Sequence, residues 1–267
     1  MTQQIVLVTG ASSGIGRSIA ALLAANGYRV FGTSRHPAQP TLDGFEMVAL
    51  DVTSDESVAA CVAEVIGRAG RIDALVNNAG VELLGALEEI SIEEAKTLFE
   101  TNFFGVMRMT NAVLPEMRQR RNGVIINIGS LAGTVSAPFH GIYSASKFAL
   151  EGYTEALWFE VAPFGVRVAL VEPGFFKSEI NRNKALPARS LPDYAAERTT
   201  MIAAWDRSVE EAADPAPVAA KVLHIVQGRA RGLRHRLGRY GLMSRFKLVS
   251  PERVLWVQVR RQFGLKP

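Results

Sequence analysis

Residues Gln4 to Gly16 read "QIVLVTGASSGIG". A short, apolar, β-rich run ends in a turn holding Gly10, Gly14 and Gly16, and a helical pattern follows from about Ile15 to Ala25, closed by Asn26-Gly27. Glycines at such a turn let the backbone approach a pyrophosphate, whose charge is favoured by the helix N-terminus. The spacing is G-x-x-x-G-x-G, which departs from the G-x-G-x-x-G of many dinucleotide folds. Glycine turns are common, so the weight lies on the position of this one between a strand and a helix.

The same alternation continues outward from this stretch. "YRVFGTS", "FEMVALD", "DALVNN", "GVIINIGS" and "VRVALVEP" read as strands, separated by helical patterns over Ser54–Ala69, Ser91–Arg118 and Tyr143–Phe164. The expected fold class is α/β, a single Rossmann-type doubly wound parallel sheet of about seven strands with helices on both faces. One domain is expected over 1–267, with residues 178–214 as a helical substrate lid and 228–267 as a basic C-terminal segment. The first six strands each end in something conspicuous: the glycine turn, Ser34-Arg35, Asp51, "NNAG" from Asn77, Ser130, and Pro173-Gly174. In open parallel sheets ligands lie beyond the carboxyl ends of the strands, so this agreement predicts a site there.

Composition fits a globular protein with a sizeable core, at 48% apolar and 21% charged residues. The start lacks a basic leader and no stretch approaches a spanning length of apolar residues, so a cytoplasmic protein is expected. The lone Cys61 reads as a small buried hydrophobe. From Gly228 onward there are eleven Lys or Arg and one acidic residue, Glu252. Such asymmetry can mark nucleic-acid or anionic-membrane contact. No aromatic-interleaved nucleic-acid motif accompanies it, and "SPERVLWVQVRRQFGL" reads as an ordinary amphipathic helix, with peripheral membrane contact as the secondary reading and no nucleic acid expected.

"TGASSGIG", "NNAG", Ser130 and the "YSASK" of Tyr143 to Lys147 together resemble the short-chain dehydrogenase/reductase family. The closest match spans roughly residues 3 to 180, and "VELLGALEEIS" and "YSASKFALEG" look like its branch of 17β-hydroxysteroid and retinol dehydrogenases. The resemblance implies Asn102, Ser130, Tyr143 and Lys147 as catalytic residues. It also implies a dinucleotide held by Gly10, Ser12, Ser13, Gly14, Ile15 and Gly16, by Asp51 and Val52 at the adenine, by Asn78, Ala79 and Gly80, by Tyr143 and Lys147, and by Pro173, Gly174, Phe176 and Ser178. The family usually has threonine where Ser178 stands. Asn102 would position a relay water behind Lys147, and Ser130 would hydrogen-bond the substrate oxygen.

Tyrosine at its ordinary pKa is a poor base. Lowering it from ~10 to ~7 takes roughly 4 kcal/mol of preferential phenolate stabilisation, about what one positive charge ~4 Å away supplies at an effective dielectric of ~20. Lys147, one helical turn on, is the expected source of that charge. The second strand ends in Ser34 and Arg35 without an acid, and an arginine fork suits a 2′-phosphate, so NADP(H) is expected in preference to NAD(H). Ser130, Leu131, Val135, Phe139, Phe176 and Trp205 are the substrate candidates, with Met201 and Ile202 beside Trp205 on the lid. Their apolar character implies a lipophilic alcohol/carbonyl pair, steroid-, retinoid- or lipid-like. A 3-oxoacyl thioester or other small ketone is the enzymatic alternative, and an NADP(H)-binding sensor the non-enzymatic one. A homodimer or homotetramer is expected.

Overall fold

The computed structural model describes residues 3–178, 180, 184–238, 247 and 250–266. Eight strands form one sheet: β1 (Ile5–Val8), β2 (Arg29–Ser34), β3 (Thr41–Leu42), β4 (Phe45–Ala49), β5 (Ala74–Asn77), β6 (Gly123–Ile128), β7 (Val166–Pro173) and β8 (Arg234–Leu237). Their order is β3-β4-β2-β1-β5-β6-β7-β8, and every neighbouring pair is parallel except β3 with β4. Seven parallel strands with a two-residue antiparallel edge match the expected doubly wound sheet. The chain runs outward from β1 to β2 and β4, then returns to lay β5 on the other side of β1. The crevice between the ends of β1 and β5 is therefore the switch point of the fold.

Successive strand residues point to opposite faces, and both faces are covered by helices. Val6, Val8, Val76, Ile126 and Val171 pack under α1 (Gly14–Ala25) and, later in the chain, a helix at Ala216–Val226. Leu7, Phe31, Leu75, Ile125 and Val168 pack under α2 (Asp55–Ala69), α4 (Gly105–Arg120) and α5 (Gly141–Val161). Cys61 lies in this second core, and burial pushes its thiol up to about 12, so it is a packing residue.

The long helix expected over Ser91–Arg118 is α3 (Ile92–Phe99), a π-helical turn at Glu100–Phe104, and then α4. The sheet's last strand, β8, lies inside the basic segment that had read only as charge and helix. Its sequence, Arg-His-Arg-Leu, has no apolar alternation because it sits at an edge. Its arginines meet acids brought by other elements: Arg234 Nε lies 2.9 Å from Glu151, and Arg236 Nε 3.3 Å from the buried Glu172. Beyond these come α6 (Ala195–Glu210), α7 (the Ala216–Val226 helix) and α8 (Glu252–Gln262). Val259, Phe263 and Leu265, on and just beyond α8, are buried, and Arg260 pairs with Glu197 of α6 at 2.6 Å. The C-terminal helix thus docks on the lid helix, and several of the tail's charges are matched within the chain. Among the described residues no helix is long and apolar enough to cross a membrane.

Candidate active site

The turn after β1 is built for close approach. Gly10 and Gly14 have φ of +65° and +55°, a region that favours glycine. A Cβ on Gly16 would lie 2.2 Å from the Gly10 carbonyl oxygen and 2.4 Å from Asn78 Nδ2. Asn78 Nδ2 donates to the carbonyls of Thr9 and Gly10, both at 3.0 Å, while the buried Thr9 hydroxyl accepts from the amides of Asn78 and Ala79 at 2.9 and 3.0 Å. The β1 turn and the "NNAG" segment after β5 are therefore tied into one floor across the switch point. Thr9, the first residue of "TGASSGIG", carries much of this through its hydroxyl.

Around that floor opens a cleft of about 1070 Å³. Of the residues assigned from the sequence, all but Asn102, Phe139, Met201 and Ile202 line it, and Met201 and Ile202 pack behind Trp205 in the same apolar cluster. Phe139, at φ +58°, lies in the apolar cluster under the lid with its ring edge-on to Tyr194, and the next residue, His140, takes the place at the cleft. Asn102 sits on the π turn, where its carboxamide accepts from Val81 N at 2.8 Å and donates to Val81 O at 2.9 Å. Its side chain thus clamps the loop after "NNAG" and also reaches Ser146 Oγ of α5 at 3.3 Å.

At the mouth of β2 the Ser34 hydroxyl is buried with no hydrogen-bond partner, and Arg35 stands exposed at the rim. Asp51 Oδ1 accepts from Thr53 N and Oγ1 at 2.9 and 2.7 Å. Those bonds, the backbone one first, hold its carboxyl below the ordinary carboxylate range. A glycine cradle, a buried unpartnered hydroxyl, a free arginine and an ionised aspartate at successive strand ends fit the pyrophosphate, ribose and adenine parts of a dinucleotide.

On the nicotinamide side, Ser130 caps a short turn, Leu131–Gly133, accepting from Ala132 N at 3.1 Å. A Cβ on Gly133 would lie 2.9 Å from Lys147 O, so this turn rests directly on the α5 backbone. Tyr143 and Lys147 lie one helical turn apart on α5, both buried. Lys147 Nζ donates to Ile128 O at 3.0 Å and stands 5.7 Å from the Tyr143 ring centroid. Burial pushes the Tyr143 phenol well above its ordinary value, the Glu82 carboxylate pushes the same way, and a hydrogen bond with Ser130 opposes them. Lys147 is pushed down to about 8 by burial, against the pull of Glu82. The expectation that Lys147 brings the phenol towards neutrality is corrected here. Burial first and Glu82 second set the direction of its shift, and in the chain alone the phenol keeps its proton.

Two further groups, Glu82 and His140, shape this region. Glu82, 2% exposed at its side chain, accepts from His140 Nε2 at 2.9 Å. His140 in turn stacks on Tyr143, with ring centroids 4.4 Å apart, and meets Trp205 edge-on at 4.5 Å. Glu82 Oε2 and Trp205 Nε1 are buried without partners. The wall above is apolar: Leu84, Met201, Trp205, Val259 and Phe263 form one cluster with Val135 and Phe175 packed on it. The segment between β7 and α6 is tied to this loop, since Ala185 N donates to Glu82 O and Leu191 N to Glu89 Oε1, with Arg198 bonded to the same Glu89 carboxylate.

The family model described as short chain dehydrogenase matches residues 4–188. The chain is 42% identical over 240 residues to the 3-ketodihydrosphingosine reductase of Bacteroides thetaiotaomicron, covering 89% of each chain. It is 40% identical over 202 residues to human retinol dehydrogenase 8, covering 71% of this chain and 64% of that protein. Among solved structures, a short-chain dehydrogenase from Streptomyces avermitilis superposes with a TM-score of 0.82 at 38% identity, covering 98% of both chains. With the switch-point cradle and the Ser130, Tyr143 and Lys147 floor leading to the same conclusion, the chain belongs to the short chain dehydrogenase family and is an oxidoreductase of alcohol and ketone groups.

Proposed function

We propose that this chain reduces the carbonyl of a lipophilic substrate with NADPH, using Tyr143 as the proton donor. The observation that carries this reading is a buried phenol set with Ser130 and Lys147 at the floor of a cleft whose outer wall is apolar. When bound, the nicotinamide supplies a hydride to the carbonyl carbon. As the C=O π pair moves onto oxygen, Tyr143 gives that oxygen its phenolic proton, leaving an alcohol. The Ser130 hydroxyl hydrogen-bonds the same oxygen and stabilises the charge developing there. Lys147 spends one donor on Ile128 O, which fixes its ammonium and leaves two N–H groups for ribose hydroxyls. The lid helix α6 and the end of α8 exclude water from above. The relatives' names, a 3-ketodihydrosphingosine reductase and a retinol dehydrogenase, support a lipophilic substrate.

The choice of NADPH rests on Arg35 and the buried Ser34 hydroxyl, with no acid to claim the ribose diol. Arg35→Ala should weaken NADPH binding by about tenfold, the loss of one exposed charge-assisted contact, with little change for NADH. Fluorescence titration with each cofactor checks this, and equal losses for both would remove the 2′-phosphate assignment.

The outer face of α4 and α5 supports a second copy of this chain as the partner. Phe104, Phe148, Trp158, Phe159 and Phe164 are exposed on or beside these helices, Phe159 at 64%. Light scattering should show a dimer or tetramer that Phe159→Glu shifts to a lower mass. A wild-type monomer at micromolar concentration would rule the interface out.

A further inference from the structure

We propose that the Glu82 carboxylate, held in place by His140, is the seat for an ammonium group carried beside the reacting carbonyl, so that the substrate is a long-chain α-amino ketone. This rests on the carbonyl-reductase reading above and narrows it to one substrate class.

Glu82 is left with one oxygen unpartnered within the protein. A carboxylate can only accept hydrogen bonds, so the proton between Glu82 Oε1 and His140 sits on Nε2. Oε2 is buried and has nothing to accept from, an arrangement that costs free energy unless a donor arrives. Lys147 does not reach it either: its ammonium bonds Ile128 O, and Oε2 is left without a hydrogen-bond partner. Glu82 nevertheless acts on the chemistry: its charge holds the Tyr143 phenol up and makes it a poorer acid. For a reductase whose proton donor is Tyr143, a carboxylate that raises the phenol works against turnover. A cation bound at Oε2 removes both defects, since it satisfies the orphaned oxygen and cancels the field on the phenol.

Geometry fixes where that cation sits on the substrate. His140 bridges the two groups, bonded to Glu82 at 2.9 Å and stacked on Tyr143 at 4.4 Å between centroids. A substrate whose carbonyl oxygen meets the Tyr143 hydroxyl can therefore place a cation at Glu82 only close to that carbonyl. Beyond this polar end the cleft wall is the apolar cluster of Leu84, Met201, Trp205, Val259 and Phe263, which takes a chain or ring and not a second charge. A compact cationic head and an apolar tail make an amphiphile, and the relative named 3-ketodihydrosphingosine reductase acts on such a molecule by its name.

The test compares three ketones of one chain length with the intact enzyme and NADPH: a long-chain 2-amino-3-ketone, its 2-acetamido derivative and the unsubstituted 3-ketone. The pH is 6.5, below the value of about 8 typical of an amine beside a carbonyl. The expected result is kcat/KM for the amino ketone about tenfold or more above both uncharged analogues, the size of one hydrogen bond to a charged group. Glu82→Gln should bring the three within about threefold of one another, and calorimetric titration with the corresponding long-chain amino alcohol should show the matching loss of affinity against the plain alcohol. Turnover of all three at similar rates by the wild type would overturn the ammonium seat and leave the reductase reading standing. An unchanged preference in Glu82→Gln would overturn it too. Turnover of none would overturn both. If the variant does not melt cooperatively, the three-ketone comparison on the wild type decides by itself.

Discussion

Tyr143→Phe is expected to lower kcat for carbonyl reduction by about 10²- to 10⁴-fold, the range for losing a positioned general acid, with NADPH affinity nearly unchanged. The substitution removes one oxygen and keeps the ring that stacks on His140, so the packing between α5 and the lid stays in place. The hydroxyl it removes is the proton source that burial holds in its neutral form, and Ser130, the remaining hydroxyl at the substrate oxygen, has no reason to be acidic. Steady-state NADPH consumption measures the first quantity and fluorescence titration of the cofactor the second. A variant within tenfold of wild-type kcat would mean that another group delivers the proton.

Lys147→Met should damage cofactor binding as well as turnover, and it should also stabilise the fold near neutral pH. The ammonium is buried on α5 with one carbonyl as its recorded hydrogen-bond partner, and its folded-state pKa of about 8 lies below the ordinary 10.5. Between those values the folded chain binds fewer protons than the unfolded one, so stability rises with pH across about 8 to 10.5. Below about 8 the native state carries the full cost of the buried charge, up to about 3 kcal/mol for a shift of this size. Replacing the lysine removes that cost, offset in part because Glu82 loses a nearby cation. Thermal melts should therefore show Lys147→Met gaining most at pH 7 and least near pH 10.5, while its NADPH affinity falls by tenfold or more, as expected when a charged donor is lost. A variant that binds NADPH normally would take Lys147 out of the cofactor site.

The strands, the switch-point crevice and the floor of the site were legible because each is local. Strand, glycine turn and helix occur within one stretch of chain, and Tyr143 and Lys147 share a helix face by spacing alone. What stayed hidden depends on partners distant in sequence. β8 reads as charge because the acids that neutralise it, Glu151 and Glu172, come from α5 and β7. The end of α8 walls the cleft through Val259 and Phe263 only because it docks on α6, and the π turn that presents Asn102 has no mark in "ETNFF". Glu82 and His140 lie 58 residues apart, and each alone is an unremarkable side chain in a loop. The direction of the Tyr143 shift in the chain alone was hidden for a related reason. Sequence spacing gives the distance between two charges, whereas the pKa of Tyr143 is set first by how completely the rest of the chain encloses it.

The most direct measurement is NADPH consumption by the wild-type protein across ketones of increasing apolar size, with Tyr143→Phe as the blank. The expected result is turnover above that blank, with kcat/KM rising as the apolar chain lengthens along the wall formed by α6 and α8. If no ketone consumed NADPH faster with the wild type than with Tyr143→Phe, the assignment of this cleft as a lipophilic carbonyl reductase would be contradicted.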